Sequence, residues 1–452
     1  MALFDGLRAR IGGQRPRDGF AGAPPPARFR APEVVAGRSG RKWDLGLPRF
    51  RSTASDQIEA RASDPLAAVR IALRNAFTPA KPISDQRVFA GRSATLSALI
   101  RSIEDQQLHV VIHGERGIGK TSTLNILAEA AREARYLQAY ISCGERSNFD
   151  EMARAVAARV PLLYVAGYGP THAQTETGGT LADLIPPGPI STRLAADLLA
   201  MVSGTRVLIF LDEFERCESL EFRTQVAELM KDLSDRSARV QIVIAGIAAD
   251  LTELMEAIPS IQRNVFALEL PRMSPDEVRQ MVSKGEKIAG VTFDRPATDL
   301  IVSLAAGFPY LASLLSHHAA LAAVDAGRTT VIRADVALAA NEALGELRSR
   351  LSRRSQWRID ETIRQGGLAA LGVIAAAAQS PSGRFSDEEL AARVDAPDER
   401  KLLVEMADAL AHEGSLLEEA SDAYGRGFRF VEASVPPYLW LLANETAEPA
   451  DA

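Results

Sequence analysis

Two short runs of residues carry the chemistry that this sequence could perform. The first is Gly114-Glu115-Arg116-Gly117-Ile118-Gly119-Lys120-Thr121-Ser122, which fits G-x-x-x-x-G-K-[ST] at every fixed position. Gly114 and Gly119 lack a β-carbon, so the backbone can curl tightly and aim successive N–H groups at phosphate oxygens. Lys120 would reach the β- and γ-phosphates of a nucleotide, and the Thr121 hydroxyl would ligate Mg²⁺. The second run is Val207-Leu208-Ile209-Phe210-Leu211-Asp212-Glu213. An acid at the end of a buried strand can hold the metal on its outer side, the role expected of Asp212. Glu213 can orient an attacking water and accept its proton, the role of a general base. Asp212 for metal and Glu213 for water point to hydrolysis rather than transfer to a metabolite. No N-K-x-D guanine reader is evident, so ATP is preferred over GTP.

These residues need a scaffold, and the flanking pattern supplies one. Val110, Val111 and Ile112 read as an apolar strand ahead of the glycine-rich turn, and a helix follows the turn and runs through Arg135. The start of that helix adds the positive end of its dipole to the phosphate site. Tyr136 to Ser142 alternates as a second strand, followed by a helix from Asn148 to Leu163. The run ending in Asp212 and the largely apolar Val240 to Ala245 read as strands covered on both faces. A helix over 220–234 puts Phe222, Val226, Leu229, Met230 and Leu233 on one face. A helix from Asp250 and a strand, Val265 to Leu270, close the unit. Strands alternating with helices predict an α/β fold with a parallel sheet over 61–271. Within it, the Gly/Pro/Thr-rich stretch 165–190 is long for a loop, which implies disorder or a functional insertion.

Beyond Pro271 the pattern turns helical, from Ser274 to about Ile363, and 272–360 is read as a separate helical domain. Residues 361–447 then show three helices, Leu368–Ala378, Asp387–Val394 and Asp398–Gly414, followed by a hairpin whose strands begin near Ser415 and Phe428. That order spells a winged helix.

The chain is too long for one core. It has no apolar run near the ~20 residues of a membrane span, and its start, Met1-Ala-Leu-Phe-Asp-Gly-Leu, lacks the features of a secretory signal. Cys143 and Cys217 suit free thiols in a reducing compartment, so a cytoplasmic address is expected. The net charge of −6 hides an asymmetry. Met1 to Thr53 holds eleven Arg/Lys against four acids, whereas Asp360 to the end holds seven against eighteen. Residues 1–60, rich in Gly, Pro and Arg, read as a disordered basic arm that could touch nucleic acid. Arg348-Ser-Arg-Leu-Ser-Arg-Arg is the other basic surface. The candidate recognition helix of the winged helix is not basic, so that domain is expected to dock on protein rather than DNA.

Taken together, the Walker A and Walker B runs resemble those of AAA+ and STAND-type P-loop ATPases, particularly the origin-recognition (replication-initiator) branch. The resemblance spans about residues 75–440. It implies a sheet of order 5-1-4-3-2, a helical lid and a C-terminal winged helix, with ATP or ADP and Mg²⁺ as cofactors. Val88-Phe89-Ala90-Gly91-Arg92 is similar to the box that packs near the adenine in that group, which assigns Phe89 and Arg92 to the nucleotide. Gly307-Phe308-Pro309-Tyr310 resembles the G-x-P element through which a STAND lid touches nucleotide, which assigns Pro309. Arg263 falls where AAA+ proteins often carry an arginine finger, a group that reaches a neighbouring subunit and implies self-association in the ATP state. Arg116 could contact phosphate. Two departures matter: Ala245-Gly246-Ile247 offers no polar sensor residue, and the lid shows no second-sensor arginine. The resemblance therefore implies a slow or partner-stimulated ATPase acting as a molecular switch. A DNA-associated initiator or transposition-type ATPase and an ADP-locked scaffold stay open as alternatives.

Overall fold

The computed structural model describes residues 65–79, 81–115, 117–167, 178–246, 259–378, 384–412, 416–420, 426–432 and 434–447. The basic arm, Arg116 and the expected helix from Asp250 lie outside the described residues.

Five strands form one all-parallel sheet: β1 (His109–His113), β2 (Leu137–Ser142), β3 (Val207–Asp212), β4 (Val240–Gly246) and β5 (Val265–Glu269). Their spatial order is β2-β3-β4-β1-β5, which is the expected 5-1-4-3-2 read from the other edge. Successive side chains on a strand point to opposite faces, and the core divides accordingly. Val110, Ile112, Leu208, Phe210, Val243 and Ala245 pack on one face, with Leu124 and Leu127 of the helix Lys120–Glu133. Val111, Ile209, Leu211, Ile242 and Ile244 pack on the other, with Met152, Leu199, Val226 and Met230 from three further helices. β3 and β4 are buried along their whole length, the reason their sequences are almost wholly apolar, with Gln241 the polar exception within β4. His109 is buried in this core as a neutral ring. Its Nδ1 accepts the Ile242 N–H at 2.9 Å and its Nε2 donates to the Met230 carbonyl at 2.8 Å.

The first core continues into the C-terminal half without a break, through Leu311, Leu315, Val336, Ile359, Leu371 and Leu439. The helix Pro275–Ala289 opens on a capping box, Ser274 with Glu277, and has proline at its first turn. The region read as wholly helical contains two strands, β6 (Thr292–Phe293) and β7 (Thr330–Val331), paired in parallel. Two residues are too few to show a strand period, so the sequence pattern passes over them. The C-terminal part holds helices Leu368–Ala377, Asp387–Ala391 and Pro397–His412. Strands β8 (Arg384–Phe385), β9 (Leu417–Glu419) and β10 (Phe428–Phe430) form an antiparallel sheet of order β8-β10-β9. A final helix, Val435–Ala447, was not expected; it carries Pro436 and Pro437 in its first turn. Proline is tolerated in a first turn, whose N–H groups have no partner within the helix.

Two further expectations are corrected. The helix after β2 spans Phe149–Ala157 rather than reaching Leu163, and Pro161 redirects the chain into a 3₁₀ turn at Leu162–Tyr164. Of the stretch 165–190, residues 178–190 are ordered. Leu181 and Ile190 are buried in the second core, and Thr180 and Val165 bridge to Pro161 and Val202. Residues 168–177 lie outside the described residues.

Candidate functional site

β1 lies between β4 and β5, so the loop that follows it opens at the C-terminal end of the sheet. Gly114 has φ 149° and Gly119 φ 97°, conformations that L side chains rarely adopt. Space is tight there too. A β-carbon on Gly114 would stand 3.0 Å from the Leu270 carbonyl, and one on Gly119 3.1 Å from Nη1 of Arg92. Gly119 caps the helix Lys120–Glu133 with no side-chain hydrogen bond, which leaves first-turn N–H groups available to an anion. The Lys120 ammonium folds back to donate to the carbonyls of Gly114 (2.8 Å) and Glu115 (3.1 Å). Ile118 points down into the core.

The end of β3 faces this loop. Asp212 is buried, and its Oδ1 accepts the Thr121 hydroxyl at 3.2 Å and the Glu213 N–H at 2.9 Å. Its Oδ2 accepts the hydroxyl of Tyr140 at 2.7 Å. A carboxylate and a hydroxyl placed so closely are hard oxygen donors of the kind Mg²⁺ takes. Tyr140 was not anticipated. It lies on β2 and stacks on Phe210 with ring centroids 5.9 Å apart. Burial and the neighbouring Asp212 raise its pKa, which keeps it a hydrogen-bond donor. Partners of this kind orient a metal ligand. Tyr140→Phe is expected to raise the Mg²⁺ needed for half-maximal ATP binding about tenfold. Metal-free nucleotide affinity should stay unchanged; a Mg²⁺ titration of both forms checks this.

Glu213 takes a left-handed backbone (φ 53°), unusual for a residue with a β-carbon and common at functional positions. Its carboxylate accepts from Ser142 Oγ at 3.1 Å and Arg216 Nη1 at 2.7 Å.

Lys120, Thr121, Ser122, Asp212, Glu213, Gly117 and Gly119 all line one cavity of about 290 Å³. Pro309 and Tyr310 close it from the helical region, together with Met281 and Ser313. Gly307 (φ 78°) makes that approach possible, since a β-carbon there would stand 2.6 Å from the Met273 carbonyl. Thr78, Lys81, Pro82 and Ile83 form the remaining wall and also line an adjoining cavity of about 760 Å³. This wall is tied to the phosphate-loop helix: Ile83 N–H donates to Ser122 Oγ at 3.1 Å, and Asn125 donates to the Ile83 carbonyl at 3.4 Å. Sequence reasoning missed it, and the only signal was the proline pair Pro79 and Pro82.

Phe89 and Arg92 occupy other places. Arg92 is buried behind the loop. Its backbone N–H donates to Glu277 at 2.9 Å and its Nη2 to the Pro271 carbonyl at 3.0 Å. Burial pulls its guanidinium down to about 10. Phe89, half-buried, receives a hydrogen bond from Lys284 at its carbonyl. Arg263 sits at the opposite end of the sheet, exposed beside His109 and Gln241, so within one chain it does not join the cavity. Arg348 is occupied by Asp360 and by the Tyr438 hydroxyl at 3.1 Å, which ties the helical region to the last helix. Cys143 and Cys217 are buried free thiols, and burial pushes Cys143 up to about 12, so it is not a reactive thiolate. Among the described residues, no helix is long and apolar enough to cross a membrane.

A parallel sheet in this order, with a glycine loop ending in Gly-Lys-Thr after β1 and Asp212-Glu213 at the end of β3, defines a P-loop NTPase of the AAA+/STAND kind. The family model described as Novel STAND NTPase 1 (nSTAND1) matches residues 76–410, and the chain belongs to that family. Among solved structures, the chain is similar to Cdc6p from Pyrobaculum aerophilum at 15% identity, covering 83% of this chain and 99% of that one (TM-score 0.43). It is similar to Aeropyrum pernix Orc1, solved in complex with DNA, at 16% identity over 82% and 95% (TM-score 0.39). A third likeness is to the RuvB Holliday junction branch migration motor of Thermotoga maritima, at 14% identity over 76% and 94% (TM-score 0.38). No curated protein matches the sequence.

Proposed function

We propose that this chain is a Mg²⁺-dependent ATPase that works as a molecular switch. The modules of that switch are an ATPase domain (61–271), a lid (272–360) and a winged helix (361–447), in a cytoplasmic protein. The observation that carries the reading is the makeup of the cavity. Lys120, Thr121, Asp212 and Glu213 stand on one wall, and Pro309 and Tyr310 of the lid stand on another. A nucleotide held there touches both modules, so a change in its phosphate count is felt by the lid. Lys120 binds phosphate, Thr121 and Asp212 hold Mg²⁺, and Glu213 prepares water. Thr78, Lys81, Pro82 and Ile83, which also line the larger cavity, would hold the base and ribose.

The resting contacts of Glu213 with Ser142 and Arg216 support slow or partner-stimulated turnover, because the carboxylate must leave them to reach water. Arg263, directed away from its own site, suits a role in a neighbouring subunit. The acidic C-terminal part suits a protein partner, and the basic arm remains the segment suited to nucleic acid.

Hydrogen exchange over residues 307–313 tests the switch. Protection should differ between the ADP-bound chain and the ATP-bound Glu213→Gln form. Equal protection in the two states, with both nucleotides bound, would contradict it.

A further inference from the structure

The phosphate loop contains a partly buried acid, and the structure shows what offsets it. Glu115 stands second in the loop, with its side chain 13% exposed, and Arg272, 18% exposed, faces it. One guanidinium nitrogen, Nη2, donates to both carboxylate oxygens, at 2.9 and 3.1 Å. The same guanidinium lies over the Phe308 ring of the lid, its carbon 3.8 Å from the ring centroid. Arg272 therefore bridges the loop and the residue directly before Pro309.

Its backbone is fixed on both sides. Leu270 N–H donates to the His113 carbonyl at the end of β1 (2.8 Å), and Met273 N–H donates to the Gly307 carbonyl (2.9 Å). Between them, the Pro271 carbonyl accepts Arg92. Burial, the largest influence, and the charge of Glu269 leave the Glu115 carboxyl pKa raised on balance, against the lowering effect of Arg272 and Lys120, which places Lys120 within electrostatic reach of the same acid. Arg393, from the C-terminal part, adds a positive charge that acts on Arg272.

An unpaired carboxylate in this loop would repel a polyphosphate and compete with it for Lys120. In a poorly screened site that repulsion is strong. We propose that Arg272 is a positioning residue for nucleotide: it neutralises Glu115 so that the loop accepts a triphosphate, and through Phe308 it ties that neutralisation to the position of the lid. The inference rests on reading the loop as the nucleotide site, and it adds a residue that neither sequence motif contains. The dependence grows with ligand charge, so ATP feels it more than ADP.

The experiment measures ATP and ADP affinities of the native chain, Arg272→Met, Glu115→Gln and the double variant. Methionine keeps apolar packing on Phe308, and glutamine keeps the size of Glu115. Arg272→Met is expected to weaken ATP binding about tenfold and ADP about threefold, and adding Glu115→Gln should restore ATP to within about threefold of the native value. A double variant as weak as Arg272→Met, with both folded by melting temperature, would overturn the neutralisation. So would equal losses for ATP and ADP. If Arg272→Met does not fold, Glu115→Gln alone decides, because freeing Arg272 should tighten ATP and a weakening refutes the proposal. A native chain that binds no nucleotide defeats the nucleotide-site reading instead, a result distinct from an additive cycle.

Discussion

Glu213→Gln protein is expected to bind ATP as tightly as the native chain and to release phosphate roughly a hundred- to ten-thousandfold more slowly, the usual contribution of a positioned general base. Glutamine has nearly the same shape but cannot take a proton from water. Asp212, which accepts from Thr121, Tyr140 and the Glu213 N–H, keeps its partners in the variant. Binding and hydrolysis should therefore separate cleanly. The resting contacts of Glu213 set a second expectation. Ser142 and Arg216 hold one carboxylate oxygen, so native turnover starts slow and rises when a partner draws Glu213 free. Phosphate release measured beside equilibrium binding checks both points. Undiminished release by the variant would transfer the role of base to another acid lining the cavity, of which Glu215 is one.

The second large effect concerns Lys120. Its ammonium donates to two loop carbonyls, Gly114 at 2.8 Å and Glu115 at 3.1 Å, and so is held at the mouth of the loop. On binding it exchanges these for phosphate oxygens, and charge-assisted bonds are stronger than bonds to neutral carbonyls. Lys120→Ala removes them and leaves a partly buried acid, Glu115, closer to an unbalanced state. A loss of about 3 kcal/mol, roughly a hundredfold in affinity for ATP, is expected. The fold should persist, because Ile118 and Leu124, not Lys120, anchor this segment in the core. A fluorescent-nucleotide titration with a melting curve on the same sample distinguishes lost binding from lost structure.

How much of this was legible beforehand follows from the range of each interaction. β3 and β4 were readable because burial on both faces favours largely apolar runs. The phosphate loop was readable because its glycines, lysine and threonine act within nine consecutive residues. The wall at Thr78–Ile83 was not, since it depends on Ile83 meeting Ser122 and Asn125 across the fold. Tyr140 escaped notice for a related reason. Its strand reads as a half-exposed edge, and only the parallel register that sets Ser142 beside Asp212 brings its hydroxyl to that carboxylate. Arg272 sits beyond the last strand of the sheet, with nothing local to tie it to Glu115. The helix Val435–Ala447 carries two prolines in its first turn, where they are tolerated. Short-range chemistry was thus written in the motifs, whereas the residues that orient it were fixed by tertiary register.

The most direct measurement is an equilibrium titration of the intact chain with ATP, with and without Mg²⁺. Saturation at one nucleotide per chain is predicted, tighter with Mg²⁺ and reversible by ADP. A folded chain that takes up no adenine nucleotide would contradict the account.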